Sequence, residues 1–428
     1  MRAPTLYSLL LAGTCNSVLA SGFIDDSSLD VLSRNFYLDN KERSPASKPH
    51  KEEWAQGFIA SFASGFTPGT LGVGVDAHAF VGLKLDGGKG HSGTGLLPVD
   101  SDGRSERDYS SAGGALKLRM SNTTLSAGEM TVETPVFDTS DKRLQPEYAN
   151  GLLLDSHEID ALHWQAGHFT AFKNQNASSA HGDFSGYGAS TRSGAIDFIG
   201  GQLFEGRPVG GALYAAQLSD TWRQYYANLH GSSANWLLDG NLYRSEDQGR
   251  AVAGAIATTA YSLASKYSFA AQSLTLAYQK INGNTPFDFV GGDSIYLANS
   301  IKYADFNGPG ESSWQLRYDL NLASLGIPGL KFMTRYVTGR GIDGTHAPQG
   351  GAYNPFDADS GAYQPQQGRG GRHWERDIDV HYVVQSGPAK DLSVQLSHVS
   401  HRANSAQAGD DIDRVYVVVE YPLRFGLR

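Results

Sequence analysis

The chain has 428 residues and a formal net charge of −9, with 51 Gly, 19 Phe, 21 Tyr and 6 Trp but a single Cys. This acidic balance argues against a general nucleic-acid binder, which would carry a basic surplus. Mean hydropathy is −0.35, and no apolar run long enough for a membrane helix follows the first twenty residues. A water-soluble protein fits these figures, and so does a membrane barrel with a polar lumen.

The chain opens on a secretory pattern. Arg2 precedes the apolar run Leu6–Leu11, and Val18-Leu19-Ala20 supplies a small residue at the cut. Residues 1–20 are therefore read as a cleaved signal peptide and 21–428 as one domain. Ala12-Gly13-Thr14-Cys15 is a poor lipoprotein box, because Thr precedes the cysteine. Cleavage after Ala20 removes that cysteine and leaves no disulfide.

From Leu29 onwards, Gly22–Asn40 reads as a strand carrying Arg34, Phe36 and Tyr37. Lys41–Lys51, with Pro45 and Pro49, is a charged turn. In Trp54–Phe66 the rings Trp54, Phe58 and Phe62 are spaced as much like a helix as a strand. Gly65–Thr70 is a tight turn. The clearest element is Leu71–Leu85. Its odd positions, Leu71 to Leu85, are all aliphatic, whereas the even ones include Asp76, His78, Phe80 and Lys84. A period of two over that length is one two-faced strand, long enough to cross a bilayer at a tilt. Asp86–Tyr109 follows as a polar, Gly-rich external loop.

The alternation recurs. Leu116, Leu118 and Met120 face away from Lys117 and Arg119, and Tyr261, Leu263, Tyr267 and Phe269 from Ser262, Lys266 and Ser268. Trp314, Leu316, Tyr318 and Leu320 oppose Gln315, Arg317 and Asp319; Leu330, Phe332 and Tyr336 oppose Lys331 and Arg335. Ile378, Val380 and Tyr382 oppose Asp377, Asp379 and His381, and the odd positions from Val415 to Phe425 oppose Tyr416, Glu420 and Arg424. The apolar faces end in aromatics, as membrane girdles do. The opposite faces carry whole charges that a sandwich core would not hold unpaired. Roughly 22 residues per strand and connection gives about 16–20 strands, with an even count favoured. The expected fold is all-β, a closed transmembrane antiparallel β-barrel without edges.

Several segments then agree in order across the mature chain: Gly22–Asn40, TLAYQKINGNTPFDF (275–289), Gly291–Ser324, YVVQSGPAKDLS (382–393) and VVVEYPL (417–423). With them the sequence is similar to the OprD family of outer-membrane carboxylate and amino-acid channels, substrate-specific porins. The resemblance implies an 18-stranded barrel narrowed by inward-folded loops, acting as a monomer or weak homotrimer. It implies passive diffusion of small solutes (carboxylates, amino acids or small peptides) with no enzymatic activity, cofactor or metal. It also implies a bacterial outer-membrane location among membrane lipids, reached through the barrel-assembly machinery, whose usual signal is a terminal aromatic. Here Gly426-Leu427-Arg428 follows Phe425.

The resemblance assigns the first inward loop to Glu129–Leu154, with Lys142 and Arg143 beside Glu147, and a second wall to Gly291–Phe306. In that wall Asp293, Ser294, Tyr303 and Asp305 match polar pore-lining positions. The family's basic ladder keeps Lys51 and, beside it, Arg34, while other rungs are here Asn40, His381, Gln395, Ser397 and Tyr416. Among the cations of lumen parity, Arg317 joins the candidate set, and His381 adds a charge that titrates near its ordinary pKa of about 6.5. The expected pore-lining residues are Arg34, Lys51, Arg143, Asp293, Ser294, Tyr303, Asp305, Arg317 and His381. Carboxylates for an ammonium group and a basic wall for a carboxylate suit a zwitterion.

Other signals carry less. Gly88–Gly93 fits GxGxxG, but no helical pattern follows it. His398 and His401 sit on opposite faces of a strand, wrong for shared ligation. A lipase-like barrel enzyme would need an activated serine beside a base such as His398, and none is evident. An exported soluble β-rich ligand-binding protein would extract without detergent. A sugar porin's aromatic slide has only Phe80 and Tyr416 to draw on.

Overall fold

The computed structural model describes residues 21–43, 50–88, 90–184, 194–407 and 409–426, so the expected signal peptide, Cys15 and the last two residues lie outside it. Eighteen of the described strands form one antiparallel sheet that closes on itself. They are β1 (Ser28–Glu42), β2 (Lys51–Ala63), β3 (Leu71–Asp86), β4 (Asp108–Met120), β5 (Thr123–Met130) and β6 (Tyr148–Ile159). Next come β7 (Leu162–Lys173), β8 (Ile196–Leu203), β9 (Val209–Leu218), β10 (Trp222–Ser233), β11 (Trp236–Asp247) and β12 (Ala257–Phe269). The last are β13 (Gln272–Asn282), β14 (Ser312–Asn321), β15 (Leu330–Asp343), β16 (Arg369–Val383), β17 (Ser393–Ala403) and β18 (Ile412–Gly426). Each strand pairs with its chain neighbours, and β1 closes against β18 from Ser28↔Gly426 to Glu42↔Ile412.

The opening strand behaves as its pattern predicts. Leu71, Val81, Leu83 and Leu85 point outward and are exposed, whereas Phe80 points into the lumen and is 2% exposed. Trp54–Phe66, ambiguous in sequence, is strand through Ala63. Outward rings pair across neighbouring strands at both ends of the wall: Tyr278 with Trp314 near the end with the long loops, and Trp236 with Tyr267 near the other. Long connections (87–107, 131–147, 283–311 and 344–368) all leave from one end, while the other carries short turns and both ends of the described chain. Bacterial barrels place short turns in the periplasm, which orients the molecule.

Long loops do not all stay outside, and the connection 87–107, expected as external, sends Leu96 and Leu97 inward. Residues 131–147 and 283–311 fold into the lumen and bury apolar side chains there. Phe137 packs on Phe169, Phe172 and Phe184, and Phe287 packs on Tyr243 of β11. A second cluster joins Leu144, Leu96 and Leu97 to Phe36, Ala55, Phe80 and Tyr416 of the wall. At Gly57 a Cβ would stand 3.1 Å from both Leu144 Cγ and its carbonyl oxygen, so the wall is thinned where the first loop crosses it. The barrel therefore has an apolar core within a polar-walled lumen.

Candidate functional site: the constriction

The inward loop is shorter than Glu129–Leu154. Glu129 lies on β5, buried between Lys173 and His78, and residues from Tyr148 belong to β6. The two inward loops are joined to each other. Lys142 pairs with Asp293. Glu147 Oε2 accepts from the backbone N–H of Gly292 (2.8 Å) and of Ser140 (2.8 Å). The Asp138 N–H donates to Ser294 Oγ at 2.6 Å, and the Tyr296 hydroxyl donates to the Asp138 carboxylate at 2.6 Å. Gly291 takes φ +84°, and a Cβ there would meet the Asp138 carbonyl at 2.3 Å, so only glycine fits at this crossing.

The first loop is also latched to the wall. Arg34 on β1 is 5% exposed. Its guanidinium donates to both Asp141 oxygens (2.6 and 2.9 Å), to the Arg143 carbonyl (2.8 Å) and to Glu420 of β18 (2.6 Å). Such a planar fork satisfies two carboxylates in fixed geometry, which a lysine cannot do. The second loop rests on β16, where Glu375 accepts from the N–H groups of Tyr303 (3.0 Å) and Ala304 (2.8 Å).

Between loops and wall lies a cavity of about 530 Å³, lined by Arg34, Phe36, Asp141, Lys142, Arg143, Ser300, Lys302, Arg335, Gln395, Ser397, Tyr416 and Glu420. Gln395 also borders a wider periplasmic vestibule of about 740 Å³, which holds Arg317, Asp319, Lys331, Asp379 and His381. The charges in this path are mostly matched: Lys302 with Asp379 (3.1 Å), Arg335 with Asp377 (2.6 Å), Arg317 with Asp319 (2.6 Å). Two guanidinium groups differ. Arg143 donates only to the Lys142 carbonyl. Arg414, one step nearer the outside, donates to Tyr416 Oη (2.9 Å) and Asn40 Oδ1 (3.3 Å) and lies 4.8 Å over the Tyr303 ring. Among the described residues neither has a carboxylate partner.

The comparisons agree with this architecture. Residues 21–425 match the model of the outer membrane porin, OprD family. The chain belongs to the OprD family of outer-membrane porins. This porin is 44% identical to Porin D of Pseudomonas aeruginosa over 98% of this chain and 96% of the other. The crystal structure of P. aeruginosa OprD superposes with a TM-score of 0.81 at 42% identity, covering 94% of this chain and 97% of that one. That of P. aeruginosa OpdK with vanillate does so with 0.82 at 34% identity, covering 94% and 100%. The porin is accordingly a bacterial outer-membrane, substrate-specific channel for small solutes.

Of the expected pore-lining residues, Arg34 and Arg143 line the porin's constriction, and Asp293 stands behind it on Lys142. Ser294 is 1% exposed and spent on loop contacts. Tyr303 packs between Arg414 and His401, and Asp305 accepts from Ser300 Oγ at 2.7 Å, its carboxyl pushed up by burial. Arg317 and His381 sit in the vestibule, and Lys51 is at the outer rim beside Glu42 (3.6 Å). His398 faces outward opposite Ile378 and Val415. Strand parity missed Lys302 and Asp141, because both are on loops. Arg414 shares the face of Tyr416 and Glu420 but lies just before the alternating stretch that begins at Val415.

Asp138 gives the loop junction a pH dependence. Burial pushes its carboxyl up to about 7, with repulsion from Asp293 and Glu133 adding to this and the Tyr296 hydroxyl opposing it. A raised carboxyl binds its proton more tightly in the docked loop than when freed. The docking contribution is therefore complete below the ordinary aspartate range and is lost as pH rises through about 7. Open-channel current noise is expected to increase as pH rises from about 4 to about 7 and to level off above that, and Asp138→Asn is expected to flatten the profile. Equal pH profiles for both proteins would refute the assignment.

Proposed function

We propose that this porin passes small solutes bearing a carboxylate, amino acids and small peptides among them, by passive diffusion through the constriction. The observation that carries the reading is Arg143 in the constriction lining, with Arg414 against the rings of Tyr303 and Tyr416, neither bonded to a carboxylate among the described residues. A guanidinium in a narrow, partly dehydrated passage attracts a carboxylate that would otherwise lose its hydration. Asp141 and Glu420 border the same cavity and offer the ammonium end of a zwitterion an opposite field. The vanillate named with OpdK carries a carboxylate as well, and that relative shares the fold. Arg34, Lys302 and Arg335 contribute positive potential while holding the walls in place.

Single-channel recording in planar bilayers tests the reading. Glycine, glutamate and simple carboxylates should each shorten or reduce current steps, and neutral sugars of similar size should leave them unchanged. Equal interference from the sugars would overturn it.

A further inference from the structure

A second constellation lies far from the constriction, at the periplasmic end of the lumen. The β6–β7 hairpin carries Asp155, His157 and His163, and the adjacent turn after β8 carries Glu205. Asp155 pairs across the sheet with Thr124 and Gln165, and its neighbour Leu154 pairs with the outward Leu125, so Asp155 faces the lumen. The ladder is irregular between Ser156 and Ile159, and this bulge turns His157 over His163. The two imidazoles stack at 4.0 Å with a 14° tilt. Both present Nε2 to one carboxylate: His163 Nε2 is 2.8 Å from Asp155 Oδ2, and His157 Nε2 is 3.4 Å from Oδ1.

We propose that Asp155, His157 and His163 bind a first-row transition-metal dication, for which Zn²⁺ is the probe. Their donor atoms lie within 4.8 Å of one another. Around a tetrahedral zinc with bonds near 2.1 Å, donors stand about 3.4 Å apart, so small side-chain rotations suffice. Two imidazoles and one carboxylate suit zinc, nickel or copper and disfavour magnesium or calcium. Glu205 Oε2 stands 3.8 Å from His163 Nδ1, on the side away from Asp155. At that distance Glu205 is an ionic neighbour of Nδ1, and a small rotation would bring it to the outer-carboxylate position found at zinc histidines, with Nε2 left for the metal. The scaffold is already fixed. The His157 N–H donates to the Asn122 carbonyl (3.0 Å), the Glu158 carboxylate accepts from the Asn122 N–H (2.7 Å), and the Phe204 N–H donates to the Ala161 carbonyl (2.7 Å).

Isothermal titration of the folded, detergent-solubilised porin with ZnCl₂ tests this. A saturable zinc site that Mg²⁺ does not fill is expected, weakening below about pH 6 as the imidazoles take protons. His157→Gln and His163→Gln should each remove it. Glu205→Gln should weaken it about ten-fold. All titrations are run in a His50→Gln background, because His50, Glu52 and His91 form a second two-imidazole, one-carboxylate group at the opposite end that would otherwise add its own zinc signal. His157 is exposed on the hairpin, so H157Q keeps the barrel, as heat-modifiable gel mobility will report. Undiminished zinc binding in folded H157Q, or none in the His50→Gln parent, would overturn the proposal.

Discussion

Replacing Arg34 by alanine is expected to raise single-channel conductance several-fold, add current noise and move selectivity towards cations. Arg34, itself on β1, bonds the first inward loop and β18 at once, through Asp141, the Arg143 carbonyl and Glu420. Its loss frees residues 141–143 from the seam, while the rest of 131–147 stays held by the second loop through Lys142, Glu147 and Asp138, by Ser111 and Tyr243 of the wall, and by the packing of Phe137 and Leu144. It also leaves two carboxylates facing the passage. Because Asp141 and Glu420 keep 48% and 31% of their side-chain exposure, they rehydrate. The stability cost therefore falls below the roughly 3–5 kcal/mol of a fully buried pair. Arg34→Lys should lie between, retaining charge but not the double fork. Bilayer recordings of the three proteins decide it. An alanine variant with wild-type conductance and noise would show that these other contacts position the loop without Arg34.

Alanine at both Arg143 and Arg414 should lower acetate and glutamate permeation about ten-fold or more, given the 1.5–3 kcal/mol typical of a hydrogen bond to a charged group. Neutral solute flux should change little, because neither guanidinium braces the wall through a carboxylate. Each single variant should lose part of the effect. In a salt gradient the reversal potential should shift towards cations. The shift should shrink near 1 M salt, where screening acts over about 3 Å. Liposome swelling with matched anionic and neutral solutes supplies the second readout. An unchanged anion preference in the double variant would remove these two residues from the selectivity argument.

The barrel was legible because a lumen wall and a lipid-facing wall impose opposite chemistry on alternate residues, as β3 shows with Phe80 inside and Val81 outside. Several turns were silent. Ala161, Ala234 and Ala270 occupy positive φ where Gly or Asn would have announced a reversal. At the constriction, parity told which side of the wall a charge occupies but not its height. Arg317 and His381 thus line the periplasmic vestibule and not the constriction. Loop residues obey no such period. Lys302 reaches the passage only because Glu375 captures the backbone beside it, a contact between positions far apart in sequence. Ser294 has the right polarity for a pore and is consumed instead by the Asp138 backbone.

The latch has a temporal side. Its anchors, Arg34 and Glu420, sit on the first and last strands and face each other directly across the seam where the cylinder is sealed. Until β18 is in place, Arg34 lacks one of its two carboxylates, and the loop bearing Asp141 lacks the part of its seat that spans the seam. The final setting of the aperture is thus completed by the same strand pairing that seals the cylinder.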